Sequence, residues 1–216
     1  MKFRHNWYFP DTEEHFIEYF DVIKDTNEYQ KIQRLNSFGH VENFRNAIDV
    51  GANIGLWAKD ICKEFKRAYL FEPHKENVQC LRKNLENLIN YEIYECALSN
   101  KKDLFNLHIY PKGLGGNTLS PPPNSSSDIT EIVQANVLDS YNFKNIDYIK
   151  IDVQFHELEV LEGSLETLKN NNPVLCIEAA RRDQEELSYV KKFVELLNGL
   201  NYKIVGEAGK ELFFKK

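Results

Sequence analysis

No stretch of this chain approaches the roughly 18 consecutive apolar residues that a membrane-crossing helix needs. The opening segment, Met1–Pro10, carries Lys2 and Arg4 but no apolar core of a secretory leader. A cytoplasmic protein without a membrane span is therefore expected. Cysteine is scarce, with 4 in 216 residues. Cys62, Cys80, Cys96 and Cys176 form no Cys-x-x-Cys pair, and no histidine stands at zinc-finger spacing, which argues against a disulfide framework or a zinc ribbon. Positive charge is also in deficit. Lys and Arg number 27 against 33 Asp and Glu, for a formal charge of −6, so no general field gathers phosphate backbones and a nucleic-acid substrate is disfavoured. A hydrophobic content of 42% with 28% charged residues is ordinary globular composition. The length suits one domain, 1–216, with a helical segment over 1–44 and an α/β core over 45–216.

A further absence is the most informative. Ile48-Asp49-Val50-Gly51-Ala52-Asn53-Ile54-Gly55 reads as a buried strand, a tight turn and a helix start, and Leu70-Phe71-Glu72-Pro73 as a second strand ending on an acid. A strand–turn–helix followed by an acid at the next parallel strand end is the layout of an adenosine-cofactor site, the acid meeting a ribose diol. The dinucleotide fingerprint Gly-x-Gly-x-x-Gly is missing, because its three places hold Gly51, Asn53 and Leu56. Asp49 would repel a pyrophosphate and attract an ammonium. S-adenosylmethionine has that ammonium, together with a carboxylate for the amides of the turn and a ribose for Glu72. The alternative for Glu72 is a helix cap at Pro73.

The rest alternates. Thr12 is a candidate cap for a helix bearing Phe16, Ile17, Phe20 and Ile23, and a weaker helical stretch spans 28–36. Then follow strand 46–50, helix 54–65, strand 68–71, a helix opening at Pro73 with Val78, Leu81, Leu85 and Leu88 inward, and strand 91–97. Residues 104–110 and 129–137 alternate as an antiparallel pair around a Gly-, Pro- and Ser-rich loop, 111–128. Strand 146–151, helix 156–169, strand 174–177 and helix 184–197 precede two short strands, 202–206 and 211–214, joined too tightly to be parallel. The pattern predicts a Rossmann-like, mostly parallel sheet with helices on both faces and one antiparallel strand. Asp49 and Gly51, Glu72, Ala97 and Leu98, Asp152 and Glu178 all fall at carboxyl ends of strands, where such sheets bind ligands.

These blocks, with Ala97-Leu98-Ser99, Gly115-Gly116-Asn117-Thr118-Leu119 and Ile146-Asp147-Tyr148-Ile149-Lys150-Ile151-Asp152-Val153, resemble the FkbM family of S-adenosylmethionine-dependent methyltransferases over roughly residues 45–180. The resemblance implies the seven-stranded methyltransferase fold and methylation of a hydroxyl on a sugar or other small acceptor. Its cofactor positions fall on Asp49, Gly51, Ala52, Asn53, Gly55, Glu72, Pro73, Ala97, Leu98 and Asp152. Where the family reads Asp-Val-Glu-Gly, this chain has Asp152-Val153-Gln154-Phe155, so Phe155 is expected to reshape or fill the acceptor pocket. Asp152, His156 and Glu157 are the candidate catalytic residues: Asp152 facing the cofactor's methionine end or the acceptor, or else a helix cap; His156 as a neutral general base, an acceptor-positioning group or a structural histidine; Glu157 as its partner, an acceptor contact or a solvated acid. Asn117, Gln154, Phe155 and Glu178 are candidate acceptor contacts, and Arg181-Arg182 are solvated or attract an anionic acceptor. Asp152 and Glu178 are hard oxygen ligands without a convincing third, so no metal is assigned. Two other classes stay open: a cofactor-holding protein with a filled acceptor pocket, and a methyltransferase of protein, lipid or nucleic acid.

Overall fold

The structure, a computed structural model, describes residues 1–110, 113–121, 129–179 and 184–216. It opens with a hairpin, β1 (Lys2–Arg4) and β2 (Trp7–Phe9), then α1 (His15–Ile23), a 3-10 turn (Thr26–Glu28) and α2 (Lys31–Phe38). The alternating region follows as β3 (Asn46–Val50), α3 (Ala58–Glu64), β4 (Arg67–Phe71), α4 (Lys75–Asn84) and β5 (Tyr91–Tyr94). Next come β6 (Ala97–Leu98), β7 (Asp103–Ile109), β8 (Ile129–Asn136) and β9 (Ile146–Ile151). The remainder is α5 (Glu157–Glu162), α6 (Leu165–Asn171), β10 (Val174–Glu178), α7 (Gln184–Gly199), β11 (Lys203–Ala208) and β12 (Glu211–Lys215).

Among the described residues, seven strands form the central sheet in the order β11-β12-β10-β9-β3-β4-β5. Every neighbouring pair is parallel except the two that involve β12. The expected Rossmann-like sheet with one antiparallel strand is therefore present. Strand alternation sends Ile48, Val50, Ile149 and Ile151 into a core under α5, α6 and α7. Ala47, Ala68, Leu70 and Tyr148 go the other way, beneath α2, α3 and α4. Asp49 and Lys150 share that second face, and the β3–β9 register sets them side by side. The predicted antiparallel pair is β7–β8, whose small sheet also takes in β6.

Several boundaries differ from expectation for local reasons. Residues 91–97 break into β5 and β6, because β6 leaves the main sheet to pair with β8. Thr12 caps nothing: the Phe16 amide donates to Glu13 Oε1 at 2.8 Å, and Glu14 is the residue before α1. The helix over 54–65 starts only at Ala58, since residues 51–57 are spent on the turn. The expected helix 156–169 is two helices. Gly163 ends α5 where the chain runs against Ser99, and a Cβ there would sit 2.1 Å from the Ser99 carbonyl oxygen. Residues 111–112 and 122–128 of the long loop, and Arg181-Arg182, lie outside the described residues.

The N-terminal segment is fastened to the core rather than trailing from it. Trp7, Phe9, Phe16 and Phe20 pack with Ile54, Leu56 and Cys80. Asn84 clamps the hairpin: its Oδ1 accepts from the Tyr8 amide at 2.7 Å, and its Nδ2 donates to the carbonyls of Tyr8 and Ile54. Because the contact at Gly163 is backbone against backbone, Gly163→Ala should cost about 1–3 kcal/mol of folding stability, in the range of overpacked cores. Urea unfolding of the two proteins measures it, and equal midpoints would contradict the contact.

Candidate active site

The carboxyl ends of β3, β4 and β9 meet at one point, and Gly51 makes the meeting possible. It has φ +86°, and a Cβ there would lie 2.0 Å from the Asp152 carbonyl oxygen. Only glycine allows that approach. Gly55, at φ +100°, serves helix α4 similarly, where a Cβ would reach Leu81 Cδ1 at 2.8 Å. Asn53 takes φ 50°, which Asn tolerates better than most residues. The turn amides are less available than expected. Those of Gly51 and Ala52 donate to the Phe71 carbonyl, Asn53 to Glu72 Oε2, Ile54 to Asn53 Oδ1 and Gly55 to the Ala52 carbonyl. They shape the floor of the site and are not left over for a ligand carboxylate.

Two adjoining lobes open above this floor and share Gly51, Asn53, Gly115, Asp152 and Gln154. The first is bordered by Glu72, Pro73, Ala97, Leu98 and Asn117. Glu72 is buried; besides the Asn53 amide it accepts from the His74 amide at 2.9 Å and from Asn77 Nδ2 at 3.3 Å. Burial raises its pKa, and those hydrogen bonds work against the rise. It thus ties the Gly turn to the start of α4 while its carboxylate still borders the lobe. Asn117 Oδ1 accepts from the Tyr110 amide at 2.9 Å, but its buried Nδ2 has no partner. Asn77 Oδ1, also on this lobe, is unpartnered too. Buried orphans of this kind are costly unless something completes them. An apolar slot at Ala97–Leu98, the Glu72 carboxylate and the unpaired amide groups of Asn77 and Asn117, all on one lobe, fit an adenosine.

The second lobe lies over Lys150, Asp152, Gln154 and Glu178, and Trp57 and Tyr29 also line it. Lys150, absent from the candidates named from sequence, is its electrostatic centre. It is 2% exposed, donates to Asp152 Oδ2 at 2.8 Å and sits 4.8 Å above the Trp57 ring. Burial favours its neutral form, but the charges of Asp152 and Asp49 outweigh burial and raise its pKa. Burial likewise opposes ionisation of Asp152, and Lys150 more than offsets that, holding the carboxyl below its ordinary range. Glu178 moves the other way. Burial and the neighbouring Asp152 charge push it up to about 9. Gln154 Nε2 bridges them, donating to Asp152 Oδ1 at 2.8 Å and to Glu178. At neutral pH the pair therefore consists of an ionised Asp152 and a protonated Glu178.

Other candidates sit differently from expectation. His156 is 4% exposed. Its Nε2 bonds Ser99 Oγ at 2.9 Å and its Nδ1 bonds Ser120 Oγ at 2.7 Å. Burial pulls its pKa down to about 4. It is neutral as anticipated, yet both nitrogens are occupied, so it braces the first lobe instead of standing free as a base. Glu157 does not hold that ring. Its Oε1 accepts from the Val153 amide at 3.2 Å, burial raises its pKa to about 7, and the acid nearest the imidazole is Glu159, at 3.7 Å. Gln154 and Phe155 adopt φ 54° and 72°, a conformation glycine takes without strain. The Phe155 ring lies 6.1 Å from that of Tyr189, in a side hollow, and borders neither lobe. It fills neither of them.

Asp49 is sealed beneath the turn, and neither of its carboxyl oxygens has a hydrogen-bond partner. Burial raises its pKa from 3.8 to about 7, although Lys150 opposes the shift. The folded protein thus binds this proton more tightly than the unfolded chain, so the group's contribution to stability falls as pH rises from about 4 to about 7. Asp49→Asn should therefore be more stable than the parent at pH 8, by no more than about 4 kcal/mol at ~1.4 kcal/mol per unit. The gap should close towards pH 4. Denaturant titrations at the two pH values check it, and a pH-independent difference would disprove it.

The fold has known counterparts. Residues 49–204 match the model of the methyltransferase FkbM domain. Among solved structures, a methyltransferase FkbM from Methylobacillus flagellatus KT superposes with a TM-score of 0.55 at 16% identity, over 92% of this chain and 52% of that one. The chain thus spans about half the length of that protein. A putative methyltransferase from Streptococcus mutans, solved in complex with SAH, gives a TM-score of 0.53 at 12% identity, over 85% and 94% of the two chains. A ribosomal protein L11 methylase from Lactobacillus delbrueckii subsp. bulgaricus gives 0.54 at 13% identity, over 88% and 79%. No curated protein matches. The matched domain takes in well over half of the chain, and the protein belongs to the FkbM methyltransferase family.

Proposed function

We propose that the chain transfers a methyl group from S-adenosylmethionine to a hydroxyl of a small polyhydroxylated acceptor, a sugar or a glycan unit. The observation that carries this reading is the Asp152–Glu178 pair beside Lys150, at the junction of the two lobes. When bound, S-adenosylmethionine supplies an electrophilic methyl on its sulfonium. The protein's part is then alignment and proton handling. Glu72 is the ribose contact, Ala97 and Leu98 flank the adenine, and Asp49 is the buried counter-charge towards the ammonium end. In the second lobe, Asp152 would accept a hydrogen bond from the acceptor hydroxyl, orienting the attacking oxygen, and take its proton as the C–O bond forms and the methyl–sulfur bond breaks, its electron pair staying on the sulfur of the departing S-adenosylhomocysteine. Glu178, carrying a proton, donates to a neighbouring oxygen of the same acceptor. An acid that accepts beside an acid that donates suits adjacent hydroxyls. Asn117 and Gln154 complete the acceptor's surroundings.

The cofactor-holding alternative depended on Phe155 blocking the acceptor space, and that ring borders neither lobe. Isothermal titration should show binding of S-adenosylhomocysteine and none of NAD. Glu72→Ala should weaken that binding by about 1.5–3 kcal/mol, the worth of a hydrogen bond to a charged group. Equal affinity for NAD would remove the cofactor assignment. With labelled S-adenosylmethionine and a glycan and metabolite panel, Asp152→Asn should lower turnover at least ~100-fold, the scale of general-base loss. His156→Ala should act mainly on stability. A His156→Ala loss as large as that of Asp152→Asn, at unchanged stability, would move the base to His156.

A further inference from the structure

One side of the second lobe comes from residues that precede the matched domain, which begins at Asp49. His15, Phe16, Tyr29 and Gln30 stand opposite Lys150, Asp152 and Glu178. Tyr29 is held from three directions. Its ring meets Phe16, Tyr19 and Phe20 edge-on, with centroids 5.6, 5.8 and 5.9 Å away. Its carbonyl accepts from Arg34 Nη1, and Arg34 Nε is in turn 2.9 Å from Asp60 of α3. Next to it, Gln30 Oε1 accepts from Trp57 Nε1, with Gln30 itself at φ 46°.

The Tyr29 hydroxyl, by contrast, has no hydrogen-bond partner among the described residues, although it lies within the field of Asp152, Lys150 and Glu178. Burial raises its pKa further, so it remains a proton donor. A phenol fixed by its ring and backbone, with its one donor left over, is preorganised to bind something in the lobe. The loop from the far side closes on the same wall: a Cβ on Gly115 would touch Phe16 Cζ at 3.0 Å, and one on Gly113 would reach His15 Cβ at 3.8 Å.

We propose that Tyr29 is a positioning residue for the acceptor, its hydroxyl donating to a ring or hydroxyl oxygen of a single sugar-like unit held between the Phe16–Tyr29 wall and the Asp152–Glu178 pair. This rests on the acceptor class proposed above. The probe is a set of methyl glycopyranosides, followed by saturation-transfer NMR on the protein saturated with S-adenosylhomocysteine. At least one should bind, and Tyr29→Phe should weaken it at least tenfold, with S-adenosylhomocysteine affinity and melting temperature unchanged. In turnover, KM for that glycoside should rise while kcat stays within a few-fold. Unchanged glycoside affinity overturns the proposal. So does a parallel loss of S-adenosylhomocysteine affinity, which would assign Tyr29 to the cofactor. If no glycoside binds the parent while S-adenosylhomocysteine still does, the sugar class and this role for Tyr29 fall together and the cofactor reading stands.

Discussion

A lysine ammonium buried in the middle of a parallel sheet has to be answered on all sides, and much of the site can be understood as the answer to Lys150. Moving such a charge out of water costs several kcal/mol unless it is paired and hydrogen-bonded. Asp152 supplies the bond, Asp49 a second negative charge from the adjacent strand, and Trp57 a π face. Once Asp152 is held ionised by this arrangement, its charge and burial push the Glu178 carboxyl towards its protonated form, against the pull of Lys210 3.4 Å away. Gln154, where the family usually has a glutamate, then donates its amide to both carboxyls. A third carboxylate at that position would have had to find its own counter-charge.

The parts that were legible in the sequence were those fixed by short-range geometry. Asp49, Gly51, Gly55 and Glu72 announce a strand, a turn and a second strand end, and a parallel sheet then gathers their tips with little freedom. Lys150 gives no such sign: in sequence it is one polar residue in an apolar strand, and only the β3–β9 register shows what it faces. The surroundings of His156 are hidden for a similar reason: the serines that bond its nitrogens arrive from positions 99 and 120. The split between α5 and α6 was hidden because Leu158, Leu161, Leu165 and Leu168 keep helical spacing across the break. Gly163 was the one local sign of it. The β1–β2 hairpin turns on His5-Asn6, both with positive φ, as two-residue hairpin turns prefer. His in the first place obscured a signal that Asn in the second already gave.

The departure at Gln154-Phe155 is instructive for what it leaves intact. Phe155 accepts a backbone conformation that suits glycine, and its ring is placed against Tyr189 of α7. The Tyr189 hydroxyl oxygen also accepts from the Leu158 amide at 3.0 Å. The strained pair is thus anchored on the helix side while Gln154 faces the lobes. Two unusual residues change the lining of the site by one amide and leave the shape of its floor to Gly51.

The antiparallel β12 has a consequence for the order in which this protein can be built. Glu178 ends β10, and β10 gains its outer neighbour only when Glu211–Lys215 slot in beside it, with Glu211 opposite Glu178. During synthesis, β10 leaves the ribosome well before the segment that borders it. Until then one of its edges is open, and an open edge is a template for wrong pairing. The nascent chain can therefore bring together the strand ends that carry Asp49, Glu72 and Asp152 while the strand bearing Glu178 is still bare along that edge. Glu178 thus meets Asp152 through one edge of β10, while the other edge waits for a strand that contributes no side chain to either lobe.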